Sequence, residues 1–304
     1  MTSGVYRVMG TIDRLEIARR IGHLPRFKGQ HRIVDALAPV RPDGSHFTGI
    51  AALGNGMNVA VDTRSHIERE VYLYGGFERD YAQALEALFR EGRIRGPVGV
   101  DIGANIGLYS LLMAPHFETV HSFEPQGRVF DRLVRNLEIN NIHNVKVHRL
   151  AVGTQEGEAA FHSAAEESEN HGLAGFSNHV FAGEGRPFVT DTVRVVSLDR
   201  YLSSELGRIG FVKIDVEGFE LQALAGMDQM VSAARPVFFI EILDDVLRRH
   251  GHRAQDIFDW FGARSYEMCD LFSLQRLESP SDTRRDTVLA VPREKLTALR
   301  RRDS

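Results

Sequence analysis

Three short runs in this sequence place glycines and carboxylates where a strand signal gives way to a helix signal. The first is Asp101-Ile102-Gly103-Ala104-Asn105-Ile106-Gly107, which grows out of the apolar run Val98–Ile102. Glycines at such a turn let the backbone curl tightly and approach a ligand, and the helix that follows offers N–H groups with no partner in the helix. Nicotinamide dehydrogenases place G-x-G-x-x-G here to seat a pyrophosphate. This chain has G-x-x-x-G with Asp101 just before it, and a negative charge beside the turn suits a ligand with cationic groups better. The second feature is Glu124, which closes the run Thr119–Phe123 and lies 21 residues after Gly103. An acid at that point can accept hydrogen bonds from both ribose hydroxyls of a nucleoside. The third is Lys213-Ile214-Asp215-Val216-Glu217-Gly218. Alternate strand residues share a face, so Lys213, Asp215 and Glu217 would line one side of a strand that is otherwise apolar. Charges at the carboxyl end of a central strand point to the crevice where open α/β sheets bind ligands. Glu241, at the end of Pro236–Glu241, is a further acid for that crevice.

The elements that must hold these residues alternate along the chain. Helix periodicity covers Glu78–Glu91, Ile106–Pro115, Arg128–Asn140, Phe219–Ala233 and the stretch up to Phe261. Strand signals cover Val98–Ile102, Thr119–Phe123, Val145–Val152, Phe211–Val216, Pro236–Leu243, Ser265–Phe272 and Thr287–Val291, and short strands fit between Phe47 and Val61. This alternation implies βαβ units, hence an α/β fold with a mostly parallel sheet and helices on both faces. Residues 154–195 break the rhythm. They hold a hairpin signal at Ala159–Phe161 and Val193–Val196, and they form a candidate lid or acceptor-recognition segment.

With 304 residues, 43% hydrophobic and 26% charged, the chain has the composition of a globular protein and can bury a large core. A net charge of -4 argues against a protein built to grip a nucleic-acid backbone. A single cysteine, Cys269, excludes an intrachain disulfide, and no apolar run is long enough to span a bilayer. A cytoplasmic location is the expectation. The first 45 residues carry eight basic and four acidic side chains and one helical stripe, Ile12, Leu15, Ile17, Ala18 and Ile21. The expected organisation is an arm over residues 1–60, a catalytic domain over 61–292 and a basic tail over 293–304. The arm is the candidate surface for self-association.

The segments Val100–Gly107, Phe123-Glu124-Pro125 and Lys213–Gly218, with Ser197-Leu198-Asp199 and Tyr74-Gly75-Gly76-Phe77-Glu78, resemble FkbM-type methyltransferases, a branch of the class I S-adenosylmethionine-dependent enzymes. The resemblance implies a seven-stranded Rossmann-like sheet whose last strand is antiparallel, and S-adenosylmethionine as cofactor. It assigns Asp101, Gly103, Asn105 and Gly107 to the methionine part, Glu124 to the ribose, and Ala151 to the neighbourhood of adenine. Asp215 and Glu217 would face the sulfonium or the acceptor.

The implied reaction is O-methylation of a hydroxyl on a sugar, glycan, polyketide or other natural product by in-line displacement. Asp215 is the first candidate for general base or acceptor anchor and Glu217 the second, with Lys213 holding their charges. His162, His171 and His179 are alternative bases. His121 reads as a packed strand residue. No metal is required, although Asp215, Glu217 and Glu241 are oxygen donors suited to magnesium. The alternatives are an N-methyltransferase, a non-catalytic S-adenosylmethionine-binding protein and a nicotinamide dehydrogenase.

Overall fold

A computed structural model describes residues 9–39, 46–164, 174–175, 188–283 and 285–301. Contacts divide the chain into two units, Met1–Phe77 and Glu78–Ser304. In the first unit, helices α1 (Met9–Gly22) and α2 (Gln30–Leu37) are followed by strands β1 (Thr48–Ala52) and β2 (Asn58–Asp62) and helix α3 (His66–Tyr74). The Gln30 amide donates to the Ile21 and Leu24 carbonyls at 2.8 and 3.1 Å, which satisfies acceptors left open at the end of α1. β1 and β2 form an antiparallel hairpin. The first unit therefore extends beyond residue 60, because β2 cannot be separated from its partner β1.

The second unit opens with α4 (Arg79–Arg90) and then alternates strand and helix. The sequence runs β3 (Val98–Ile102), α5 (Leu108–Met113), β4 (Thr119–Phe123), α6 (Gly127–Ile139) and β5 (Val145–His148). β6 (Ala151–Val152), β7 (Gly157–Ala164), β8 (Ala174–Gly175) and β9 (Phe188–Val196) form a second sheet before the chain returns through β10 (Ile209–Ile214) and β11 (Val237–Glu241). β12 (Tyr266–Cys269) and β13 (Thr287–Pro292) complete a seven-stranded sheet of order β12-β13-β11-β10-β3-β4-β5. β13, the last strand, runs antiparallel to β11 and β12 on either side of it, whereas β11, β10, β3, β4 and β5 pair in parallel. The α/β fold with one antiparallel strand is thus present as the sequence implies.

Every residue of β3 and β10 is buried, as expected for central parallel strands covered on both faces. Phe123, Phe211, Phe238 and Phe239 are among the largest fully buried side chains, each worth about 2–3 kcal/mol of burial.

Three expected elements differ. The strand expected over Val145–Val152 is broken. β5 stays in the main sheet, whereas Ala151 and Val152 leave it to pair with Val195 and Val196 of β9. The helix expected over Phe219–Ala233 divides into Glu220–Ala225 and Asp228–Ala234, because Gly226 turns its carbonyl to the Asp199 N–H and the Ser197 hydroxyl. A side chain at Gly226 would collide with the Gly153 carbonyl. Within the expected basic tail, Leu296–Arg300 form a helix whose Leu296 and Leu299 enter the core. The hairpin expected within 154–195 is β7–β9, with Ala159 opposite Val193. Much of that segment, with His171 and His179, lies outside the described residues.

Candidate active site

The register of the central strands decides which side chains meet. Lys213 of β10 lies beside Asp101 of β3, which in turn lies beside Ser122 of β4. Lys213 Nζ donates to the Gly103 carbonyl at 2.8 Å and stands 3.2 Å from Asp215 Oδ2 and 3.7 Å from Asp101 Oδ1. Ser110 of α5 donates to Asp101 Oδ2 at 2.6 Å and shares a 2.8 Å hydrogen bond with Ser122. Asp101 is 0% exposed, and its Oδ1 has no hydrogen-bond partner among the described residues. Burial pushes the Asp101 carboxyl above the usual range, against the pull of Lys213. Burial also works against the Lys213 charge, but Asp215 and Asp101 more than offset it and hold the ammonium firmly protonated.

The turn after β3 is shaped by close approach. Gly103 and Gly107 have φ of 73° and 91°, and a side chain at Gly103 would collide with the Asp215 carbonyl. Asn105 also takes a left-handed backbone, with its Oδ1 accepting the Ile106 N–H at 2.8 Å. The Asn105 N–H points the other way, to Glu124 Oε2 at 3.0 Å, while Glu124 Oε1 accepts the Gln126 N–H at 2.9 Å. Burial raises Glu124 to about 7 in spite of these two bonds.

Beyond β10, Glu217 occupies the left-handed region at φ 53°. The turn beneath it is tied by Glu220 Oε1, which accepts the Val216 and Gly218 N–H groups at 3.3 and 3.1 Å. Glu217 is exposed at the surface yet crowded by the surrounding fold. Desolvation, with Asp215 and Glu220 adding repulsion, raises it to about 7. Burial likewise raises Glu220 to about 7, and its Oε2 is unpartnered among the described residues. At the end of β11, Glu241 is pushed far above the carboxylate range by desolvation and the charges of Asp215, Glu217 and Glu220.

The sequence marks Glu78 as a helix start and part of a lead-in motif, and it gives no site role to Glu78, Tyr109 or Glu220. Tyr109 donates to Glu78 Oε2 at 2.7 Å, and the Lys213 ammonium lies 5.4 Å from the Tyr109 ring centre. Glu78, Asn105 and Glu217 are three of the non-glycine residues with left-handed backbone, a conformation that persists where surrounding structure enforces it. The signal for Tyr109 was its place two residues after Gly107, on the first turn of the helix that the glycines start.

Ala151 does not join this cluster. It sits in the second sheet, packed with Phe161 and Val193, because the chain leaves the main sheet after His148. His162 hydrogen-bonds Thr190 at 2.9 Å across the β7–β9 hairpin. Cys269 is buried and free. Among the described residues no group of three or more His, Cys, Asp or Glu side chains is placed to hold a metal ion, and no helix is long and apolar enough to cross a membrane.

A second titratable cluster lies on the β4–β5 edge. Tyr201 hydroxyl and His148 Nδ1 are 3.0 Å apart, His148 Nε2 and His121 Nδ1 3.0 Å, and His121 Nε2 and Glu205 Oε1 3.2 Å. His121 is therefore more than a packed strand residue. It is the middle of a hydrogen-bonded chain.

Residues 101–268 match the Methyltransferase FkbM domain. Methyltransferase 1 of Beauveria bassiana is 30% identical over 143 residues, which cover 42% of this chain and 57% of that protein. The match therefore spans little more than half the length of that relative. Hexuronic acid methyltransferase AglP of Haloferax volcanii is 30% identical over 180 residues, covering 54% of this chain and 69% of that protein. The crystal structure of Methyltransferase FkbM from Methylobacillus flagellatus KT aligns over 92% of this chain and 58% of that one, with 18% identity and a TM-score of 0.42.

Proposed function

Since this chain belongs to the FkbM methyltransferase family, we propose that it binds S-adenosylmethionine at the carboxyl ends of β3, β4 and β10 and methylates a hydroxyl of a sugar or natural-product acceptor. The observation that carries this reading is the convergence of Asp101, Glu124 and Asp215, from three adjacent strands, on a turn where Gly103 lies against Asp215. The residues fit such a cofactor. The crevice has several carboxylates and one buried ammonium, so a ligand bearing sulfonium and α-ammonium charges relieves its excess of negative charge. Glu124 uses one lone pair of each oxygen for backbone N–H groups and keeps the others for ribose hydroxyls. The bare Gly103 backbone leaves room for close approach.

Bound there, the cofactor supplies an electrophilic methyl group on sulfur. The chain must orient the acceptor oxygen in line with it and take the hydroxyl proton. Asp215 is 37% exposed and tied to Lys213, which fixes its position. That pairing supports Asp215 as the anchor for cofactor or acceptor and Lys213 as the group that holds Asp215 in place. Glu217, raised to about 7, has the proton affinity suited to a general base at neutral pH. The earlier ordering, with Asp215 as first base, is therefore reversed in this proposal. An amine acceptor would need the same base, so the choice of oxygen rests on the resemblance and on one relative whose name gives a sugar acid as its substrate. The test is titration calorimetry with S-adenosylmethionine, followed by mass spectrometry of acceptors incubated with it. Binding that survives Glu124→Ala unweakened would remove the ribose assignment.

A further inference from the structure

Opposite the acidic crevice, at the amino ends of the strands, the second unit has a cavity of about 360 Å³. Arg93 and Arg95 line it from the segment before β3, Gly210 and Val237 from the starts of β10 and β11, and Lys295 and Arg301 from either side of the helix Leu296–Arg300. Gly210 and Asp215 are separated by about 16 Å of extended strand, so the cavity and the crevice are separate places. A side chain at Gly210 would meet the Arg95 carbonyl, and its absence lets the lead-in of β3 sit directly against β10.

The cations of this cavity outnumber its acids. Four of its lining groups are basic, Arg93, Arg95, Lys295 and Arg301, and one is acidic, Glu91. Glu91 accepts from Arg93 Nη1 at 3.0 Å, and the nearby Glu294 is turned to Arg235 at 2.9 Å. Lys295, Arg95 and Arg301 make no ion pair among the described residues. Two of the four cations are also held in place. Arg93 Nε donates to the Leu299 carbonyl at 2.6 Å, and the Lys295 ammonium donates to the Ala234 and Arg235 carbonyls. These bonds tie the lead-in of β3, the start of β11 and the helix Leu296–Arg300 into one frame. They leave Arg93 Nη2 and a third Lys295 N–H for a ligand. Burial lowers the Lys295 ammonium below its ordinary value, against the pull of Glu294 and with the repulsion of Arg235, so this charge is short of a counter-ion.

Guanidinium forks match phosphate oxygens in pairs, and a lysine ammonium adds a point charge beside them. A single phosphate ester carries about −1.5 to −2 charges at neutral pH, which is less than the excess of four basic groups over one acidic group here. We infer that this cavity is an anion site, independent of the methyl-transfer crevice, and that it takes a diphosphate group. The exposed Arg95 and Arg301 close on the group from the solvent side, while Arg93 and Lys295 meet it from the fixed wall. The group can arrive on a soluble nucleoside diphosphate or on a lipid diphosphate, and the chemistry that recognises it is the same.

The test is calorimetry on the full chain saturated with S-adenosylhomocysteine, with inorganic phosphate, pyrophosphate, citrate and UDP as titrants. Pyrophosphate should bind about tenfold or more tightly than phosphate. Arg95→Ala and Arg301→Ala should each weaken pyrophosphate about tenfold, and added salt should weaken it further. Arg200→Ala, which removes a 72% exposed arginine outside the cavity, should change nothing. Flotation with phosphatidylcholine vesicles, plain or doped with farnesyl diphosphate, reads the source of the group. UDP binding as tightly as pyrophosphate assigns a soluble ester, and capture by doped vesicles alone, reversed by pyrophosphate, assigns a lipid-borne one. Citrate that matches pyrophosphate, an Arg200→Ala loss equal to that of Arg95→Ala, or no binding of any diphosphate overturns the inference. If S-adenosylhomocysteine fails to bind, the proposed function falls and the same titrations still read the cavity.

Discussion

The same sheet holds two titratable clusters that obey opposite rules. At the β4–β5 edge every polar atom of the chain Tyr201–His148–His121–Glu205 has a partner. One direction of donation satisfies the whole set, from Tyr201 O–H to His148 Nδ1, His148 Nε2–H to His121 Nδ1, and His121 Nε2–H to Glu205. Lys146 and Arg208 lie 3.7 and 3.8 Å from the Glu205 carboxylate. At the carboxyl ends of β3 and β10, by contrast, Asp101 and Glu220 each leave a buried oxygen unpartnered among the described residues, and two non-glycine residues, Asn105 and Glu217, hold left-handed backbone. A fully satisfied network rigidifies a fold, whereas unsatisfied acids and enforced backbone are stability given up at a place where a ligand can recover it. The contrast marks the first cluster as scaffold and the second as site.

The largest effect that would break this comparison is on turnover. Glu217→Gln should lower kcat by about 10²–10⁴-fold while leaving S-adenosylmethionine affinity nearly unchanged, as expected when a general base is removed. The acidic limb of the pH–rate profile, near 7 in the unaltered enzyme, should vanish with it. Asp215→Asn should instead weaken cofactor or acceptor binding together with turnover, because Lys213 loses its nearest carboxylate partner. If Asp215→Asn alone removes turnover with binding intact, the two carboxylates exchange roles.

The next effect falls on the turn. Gly103→Ala combines an unfavourable left-handed φ with a collision against the Asp215 carbonyl, at a cost of about 1–3 kcal/mol. Cofactor affinity should fall by about tenfold or more, since that cost is met at the turn that receives the ligand. An unchanged calorimetric affinity would show that the turn only closes the fold.

Both clusters were unevenly legible before the structure. Asp101, Gly103, Glu124 and Asp215 could be read because each sits at a strand end, where apolar periodicity stops and an acid or glycine interrupts it. Glu78 and Tyr109 reach the same crevice from the start of α4 and from α5, and no local pattern ties residues so far apart in the chain. The hydrogen-bonded chain was invisible for the same reason. Tyr201 and Glu205 come from the segment after β9, and His121 looked like an ordinary alternating strand position. The apolar run through Ala151 hid a change of sheet, since periodicity records burial and not which neighbour provides it.

Stability separates the two clusters next. His121→Leu should cost about 1–3 kcal/mol in urea unfolding, because it removes the partner of His148 Nε2, and Glu205→Gln should cost less, because its amide oxygen still accepts from His121 while the charge facing Lys146 and Arg208 is lost. Turnover per folded molecule should be unaltered. A large loss of kcat in either variant would move this cluster from scaffold to catalysis.

The smallest effect is the most discriminating, because the two clusters should respond to pH with opposite sign. Burial, then the positive charges of His121 and Lys146, lowers His148 from 6.5 to about 4. Between those values the unfolded chain binds the proton and the folded one does not, so this contribution is complete above 6.5 and is lost as pH falls toward 4. Glu124 and Glu220 are raised from 4.5 to about 7, chiefly by burial. There the folded chain holds the proton, so their contribution is complete below 4.5 and is lost as pH rises through 7. Thermal melts of the ligand-free protein at two pH values, about 5 and about 8, should show this directly. Relative to the unaltered protein, Glu220→Gln should gain stability on going to the higher pH, and His148→Phe should recover stability on going to the lower one. Differences that stay constant between the two pH values would mean that neither cluster carries the protonation assigned to it. Saturating S-adenosylmethionine should flatten the high-pH loss, since a bound cation favours the ionised carboxylates that the empty crevice disfavours, and it should leave the His148 response where it was.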